Sequence, residues 1–204
     1  RRILSWHIIS QIGYMIMGLA LRTPLALLGS IFYIVPHILV KTNLFLIAGI
    51  MNRVGGSFDL ARPAGLYRSH PALAIVFVIP ALSLAGMPPL SGFWAKLILV
   101  RAGLDVGAYA IVATALLVGL VTLFSMTKIW GAAFWQEPEE ATTGSPPGPG
   151  PARATALVAP AVALAALTLA TGLWAQPLYH LAERAADELL DPARYIEAVL
   201  GGRG

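Results

Sequence analysis

Long apolar runs separated by short polar connections set the pattern of this chain. Five segments, at about 3–21, 24–51, 72–100, 106–135 and 153–175, are apolar over a bilayer-crossing length or nearly so. A hydrocarbon core of roughly 30 Å takes about 20 helical residues. "LRTP" divides the first two segments. "NRVGGSFDLARPAGLYRSHP" holds Arg53, Arg62, Arg68, paired glycines and two prolines, and reads as a compact polar loop. "QEPEEATTGSPPGPGPAR" is rich in Pro, Gly and Glu and reads as a flexible linker. The last stretch, "PLYHLAERAADELLDPARYIEAVLGGRG", is charged and amphipathic, with Leu181, Ala185 and Leu189 on one helical face. It is expected at the membrane surface or against a partner subunit. The pattern predicts an all-α, polytopic transmembrane helix bundle of about five spans, one of them interrupted, plus an amphipathic carboxyl-terminal helix. The divisions are a four-span body (1–135), a Pro/Gly-rich linker (136–152), a last transmembrane helix (153–175) and a surface tail (176–204).

Composition agrees with a bilayer environment. The chain is 57% hydrophobic and only 12% charged, with a mean hydropathy of +0.74, whereas soluble domains carry about 25% charged residues. No cysteine is present, so disulfides and thiolate metal sites are excluded. The net charge of +4 does not signal nucleic acid, because the arginines sit at segment ends rather than in a stripe with aromatics. Four scattered histidines without acidic or thiol company give no metal site. The opening "RRILSW" runs straight into an apolar segment and lacks the small-residue cleavage site of a signal peptide; a fragment lacking its amino-terminal part is expected. Five crossings put Arg1, Arg2, Arg53, Arg62, Arg68 and Arg153 on one side, and Arg22, Arg101 and the tail arginines on the other. The short-loop bias favours a cytoplasmic first side and an exoplasmic carboxyl terminus.

Charge type changes the picture more than net charge. All eleven arginines lie at span ends, in loops or in the tail, whereas Lys41, Lys96 and Lys128 are the only charges well inside the spans. A lysine at mid-helix costs about 2.5–3.5 kcal/mol to insert. Arginine keeps its charge at any relevant pH, while a lysine taken out of water releases its proton more readily. Confining intramembrane charge to the switchable cation suits proton exchange.

In the second segment Ser30, Tyr33, His37 and Lys41 follow spacings of three and four and form one helical stripe. Pro36 removes a backbone hydrogen bond and invites a kink and water there. For Lys41 function is the default. Ser30 and Tyr33 are open to a second reading, as polar lining that holds neighbouring helices together. The third segment, with "SLAGMPPLSGFWAKLILV", is too long for one straight crossing and is interrupted by Gly86, Pro88–Pro89 and Ser91–Gly92. Broken helices at membrane depth mark binding sites in transporters, although a plain proline kink accounts for the same residues. Ser91 is the expected cap of the second half-helix, with Lys96 about one turn inside. Lys128, beside Trp130 and Trp135, is explained by snorkelling into an aromatic belt. His7, Gln11 and Tyr14 form another stripe, expected to hydrogen-bond between helices; His70 and His180 are expected in solvent.

"RRILSWHIISQIGYMIMGL", "FYIVPHILVKTNLFLIAGI" and "LSLAGMPPLSGFWAKLIL" resemble the carboxyl-terminal half of the antiporter-like family shared by respiratory complex I and the Mrp-type sodium/proton antiporters. They look like that family's tenth, eleventh and interrupted twelfth transmembrane helices, which makes 106–135 and 153–175 the thirteenth and fourteenth. The tail is similar to the D-type branch of the Mrp complexes and unlike the complex I subunits. The resemblance implies a proton relay through Lys96 as half-channel terminus, with His37 and Lys41 on a hydrated axis. Some members carry a histidine where this chain has Tyr33. The family's helix-five glutamate and helix-seven lysine would lie before residue 1. The implied function is a proton-translocating membrane subunit of a monovalent cation (Na+)/H+ antiporter, a secondary transporter rather than an enzyme, without cofactors. Its partners would be the other subunits of a hetero-oligomeric complex, the bilayer, H+ and Na+, in a bacterial inner membrane. The alternative is a proton-pumping subunit of an NADH:quinone oxidoreductase-type assembly.

Overall fold

The structure, a computed structural model, describes residues 2–55, 66–135 and 151–201. Helices account for all the regular structure among these residues: α1 (Arg2–Leu21), α2 (Pro24–Gly55), α3 (Leu66–Ser69), α4 (Pro71–Ala85), α5 (Ser91–Asp105), α6 (Tyr109–Trp130), α7 (Pro151–Leu173), α8 (Gln176–Leu190) and α9 (Pro192–Leu200). A π-helical turn, Gly131–Trp135, prolongs α6. Most of the expected 136–152 linker, and residues 56–65 of the polar loop, lie outside the described residues.

Local chemistry marks the ends. Proline opens α2, α4, α7 and α9, where its missing N–H would have had no intrahelical partner. Thr23 accepts a hydrogen bond from the Ala26 N–H at 3.1 Å, and Asp191 accepts one from Ala193 at 3.2 Å, so both cap free donors of a first turn. Pro36 is buried within α2, which remains a single helix across it instead of dividing.

α1, α2 and α6 with its π turn are long and apolar enough to cross a membrane, and α7 with α8 passes the same test as a pair bent by 74°. The expected third span is two half-helices of 15 residues each, α4 and α5. Each is about 22 Å long, so neither crosses a hydrocarbon core alone.

Polarity is turned inside out relative to a soluble bundle. On α1 the buried face carries His7, Gln11 and Tyr14, while Trp6, Ile9, Ile16 and Leu19 point outward. Leu116, Leu117, Leu120 and Phe124 do the same on α6. An outer surface of large apolar side chains around buried polar stripes is the arrangement lipid selects, and it makes this a multi-pass membrane protein.

The bundle is organised around α2, which packs against α1, α4, α5, α7 and α8. One apolar cluster joins its Val40, Leu44 and Ile47 to α4, α6 and α7; a second joins Leu28, Phe32 and Tyr33 to α1, α5 and α8. Small residues set the closest approaches: Ala161 and Ala165 of α7, and Ala182 and Ala186 of α8, are almost wholly buried. Without a bulky side chain to separate the backbones, such helices gain van der Waals contact that larger residues would forfeit. The tail helix α8 therefore docks through its alanines, whereas Leu181 and Leu189 of the expected apolar face are exposed.

Candidate functional site

The break between α4 and α5 builds the site. A helix ends with four carbonyls that lack intrahelical partners. At the end of α4, Gly86 adopts a left-handed conformation, φ 94°, open to glycine at no steric cost. Its N–H reaches the carbonyls of Leu82 and Ser83, and the Met87 N–H also reaches Leu82. The carbonyls of Leu84 and Ala85 are left, and Lys96 takes both, donating from Nζ at 2.8 and 3.0 Å. The ammonium also stands over the Tyr14 ring, 4.8 Å from its centroid, a cation–π contact. Its three donors thus face two carbonyls at the negative end of a helix dipole and one aromatic face.

The opposite end of the break is closed from α4. Ser83, fully buried, accepts the Gly92 N–H at 3.1 Å and lies 3.2 Å from the Ser91 hydroxyl. Ser91 was the expected cap of α5, but it is the first helical residue, the N-cap position is held by Leu90, and no cap bond comes from the Leu90 side chain. The cap reaches over from the neighbouring half-helix. Gly92 permits this approach, since a Cβ there would lie 2.8 Å from the Ser83 carbonyl carbon. Pro88 and Pro89 form the connection between the half-helices, joined by a cis peptide bond.

The stripe on α2 faces the stripe on α1. Tyr33 donates to Gln11 Oε1, Ser30 donates to the Met15 carbonyl at 2.8 Å, and Lys41 donates to the Leu4 carbonyl at 3.3 Å. Tyr14 donates to the Ala115 carbonyl, and His7 Nε2 lies 2.9 Å from Ser125 Oγ. The expected interhelical bonding of α1 is therefore present. Rings connect the two lysine neighbourhoods: Tyr14 stacks on Tyr33 at 5.7 Å, and Tyr33 lies 6.3 Å from His37. Lys96, Tyr14, Tyr33 and His37 form a continuous series, and Lys41 is one helical turn beyond His37.

Lys41 and Lys96 are both buried, and no Asp or Glu is buried among the described residues. Those residues hold no group of three His, Asp or Glu able to take a metal. Lys128 is exposed in the last turn of α6 and joins neither lysine. His180 is exposed beside Glu183 at 3.3 Å. Sequence reasoning missed three residues at the site. Tyr14 was readable as part of a polar stripe but not as the group facing Lys96, and Ser83 carries no sequence signal that separates it from other serines in apolar runs. Fully buried Asn43 was also missed; its amide makes no hydrogen bond among the described residues, nor does His37 Nε2.

Comparison with known proteins places the chain in a family. Residues 1–122 match the family described as NADH:quinone oxidoreductase/Mrp antiporter, TM. The chain is 48% identical, over 98% of its length, to the D-type subunit of a Na(+)/H(+) antiporter from Alkalihalophilus pseudofirmus, and 36% identical over 98% to its Bacillus subtilis namesake. It covers 40% and 39% of those two relatives, so it spans about two-fifths of their length. Among solved structures, it is similar to a chain of the Mrp complex from Dietzia sp. DQ12-45-1b, with a TM-score of 0.83, 39% identity, and coverage of 98% of this chain and 44% of that one. A chain of respiratory complex I from Thermus thermophilus matches with a TM-score of 0.70 and 25% identity, over 90% of this chain and 38% of that one.

Proposed function

The chain belongs to the NADH:quinone oxidoreductase/Mrp antiporter transmembrane family, and we propose that it is the carboxyl-terminal part of a proton-translocating subunit of a multi-subunit Na+/H+ antiporter. The observation that carries this reading is Lys96, a buried amine set on the two open carbonyls of a helix break, with an aromatic series leading from it to His37. Lys96 and Lys41 alternate between ammonium and neutral amine. The imidazole of His37, whose two ring nitrogens can accept and donate a proton, passes protons between them. Carboxylates that pair with these amines come from outside the described residues. Inward proton movement drives Na+ outward, so the protein is a secondary transporter subunit and not an enzyme. It sits in a bacterial cell membrane with its carboxyl terminus exoplasmic and other antiporter subunits beside it. Residues 1–135 supply the relay, and α7 with the tail forms its flank.

The test is Lys96→Ala in the full chain within its assembled complex. Sodium-driven collapse of a pH gradient in everted vesicles is expected to fall more than a hundredfold while the complex still assembles. Wild-type exchange by a correctly assembled Lys96→Ala complex removes Lys96 from the relay. Likeness to a complex I chain supports a second reading, a proton-pumping oxidoreductase subunit. Co-purification of flavin and iron–sulfur subunits, in place of other antiporter subunits, would establish it.

A further inference from the structure

The two half-helices at the break exchange caps. α5 sends Lys96 back to the last two open carbonyls of α4, and α4 sends Ser83 forward to the first turn of α5. These bonds run in opposite directions across the same gap, and each fixes the distance the other must span. Gly92 brings the backbones together at the Ser83 end, and Gly86, whose Cβ would lie 2.8 Å from Lys96 Cδ, clears the lysine stem at the other.

We propose that Ser83 is a positioning residue for proton binding at Lys96. This rests on the reading of Lys96 as a proton carrier. Ser83 touches neither the amine nor the transported proton; it holds the Gly92 N–H, and through it the register of α5 against α4. That register decides how closely Nζ meets the Leu84 and Ala85 carbonyls. Those hydrogen bonds are charge-assisted while Lys96 is an ammonium and ordinary once it is an amine. Their length therefore sets the free-energy difference between the two protonation states, and the cap that fixes it tunes the pH at which the carrier loads. Releasing the cap leaves Lys96 in place chemically but loosens its seat.

The experiment compares Ser83→Ala and Ser83→Thr with wild type and Lys96→Ala, in the full chain within its complex. Sodium-driven exchange is read across a pH series and normalised to assembled complex. Ser83→Ala is expected to lower exchange about five- to tenfold, the size of one lost buried hydrogen bond, and to displace the pH profile. Ser83→Thr, which keeps the hydroxyl, is expected to return both toward wild type. A Ser83→Ala profile that overlays wild type, or a loss of assembled complex with normal exchange per complex, overturns the proposal. Should Ser83→Ala fail to assemble, Ser83→Cys, which is slightly larger and a weaker acceptor, is judged by the same profile. Persistence of exchange in Lys96→Ala defeats the relay reading itself. Loss of exchange there with an unmoved Ser83 profile defeats only the role of Ser83.

Discussion

Two buried lysines of the same bundle sit in opposite circumstances. Lys96 has a partner for each of its three donors: two carbonyls at 2.8 and 3.0 Å and the face of Tyr14. Lys41 makes one bond of 3.3 Å, to the Leu4 carbonyl, and nearby on α2 the His37 Nε2 and Asn43 amide make none among the described residues. Among the described residues the Lys96 seat is furnished by α1, α4 and α5. The Lys41 neighbourhood is half furnished, and buried polar groups left this way cost free energy unless something else meets them. In the proposed relay, Lys96 would then be the fixed station, and Lys41 would lie on a stretch that groups beyond the described residues complete.

Breaking the seat of Lys96 at its tightest point has the largest expected effect. Gly92→Ala places a methyl group 2.8 Å from the Ser83 carbonyl carbon, backbone against backbone, with no flexible side chain to yield. It is expected to destabilise the fold by about 3 kcal/mol or more, read as lost folded protein after a detergent heat step. Survival at the wild-type melting temperature would mean that the half-helices slide freely past one another, and the contrast between the two lysines would lose its basis.

The contrast itself is sharpened by giving both lysines the same replacement. Lys96→Met strands the Leu84 and Ala85 carbonyls in a buried setting and is expected to cost about 1–3 kcal/mol. Lys41→Met removes an amine with a single long bond and fills its volume with an apolar chain of similar shape, so stability is expected to hold or rise. On the proposed relay, both variants are expected to lose exchange. Equal melting shifts for the two would show the amines to be equally seated.

How much of this was legible beforehand follows from what periodicity carries. The spans, the break at Gly86–Gly92 and the isolation of Lys41 and Lys96 are one-dimensional features, visible as runs, punctuation and charge. The shared stripe of Ser30, Tyr33, His37 and Lys41 followed from helical spacing. Which helix that stripe would face did not, because packing partners are chosen by small residues such as Ala161 and Ala182, whose hydrophobic signal is weak. Ser83 was illegible for a different reason: its partner is nine residues away, across a reversal whose geometry no period describes. The 74° bend between α7 and α8 had a trace in Pro177, a residue that opens helices as readily as it ends them.

Asn43 offers the smallest and most discriminating change. It is fully buried on α2, two residues from Lys41, and both ends of its amide lack partners among the described residues. If the amide contributes nothing to the fold, Asn43→Leu removes an unpaired dipole, replaces it with a side chain of similar size, and leaves the melting temperature unchanged or slightly raised. A loss of more than about 1 kcal/mol would instead mean that the amide is met in the assembled protein by a group beyond the described residues. Measuring exchange on the same variant separates two uses of such a group. Unchanged stability with reduced exchange would put Asn43 on the proton path beside Lys41, whereas loss of both would make it a seam between α2 and whatever covers it. The first outcome extends the unfinished half of the comparison by one residue; the second supplies one of its missing walls.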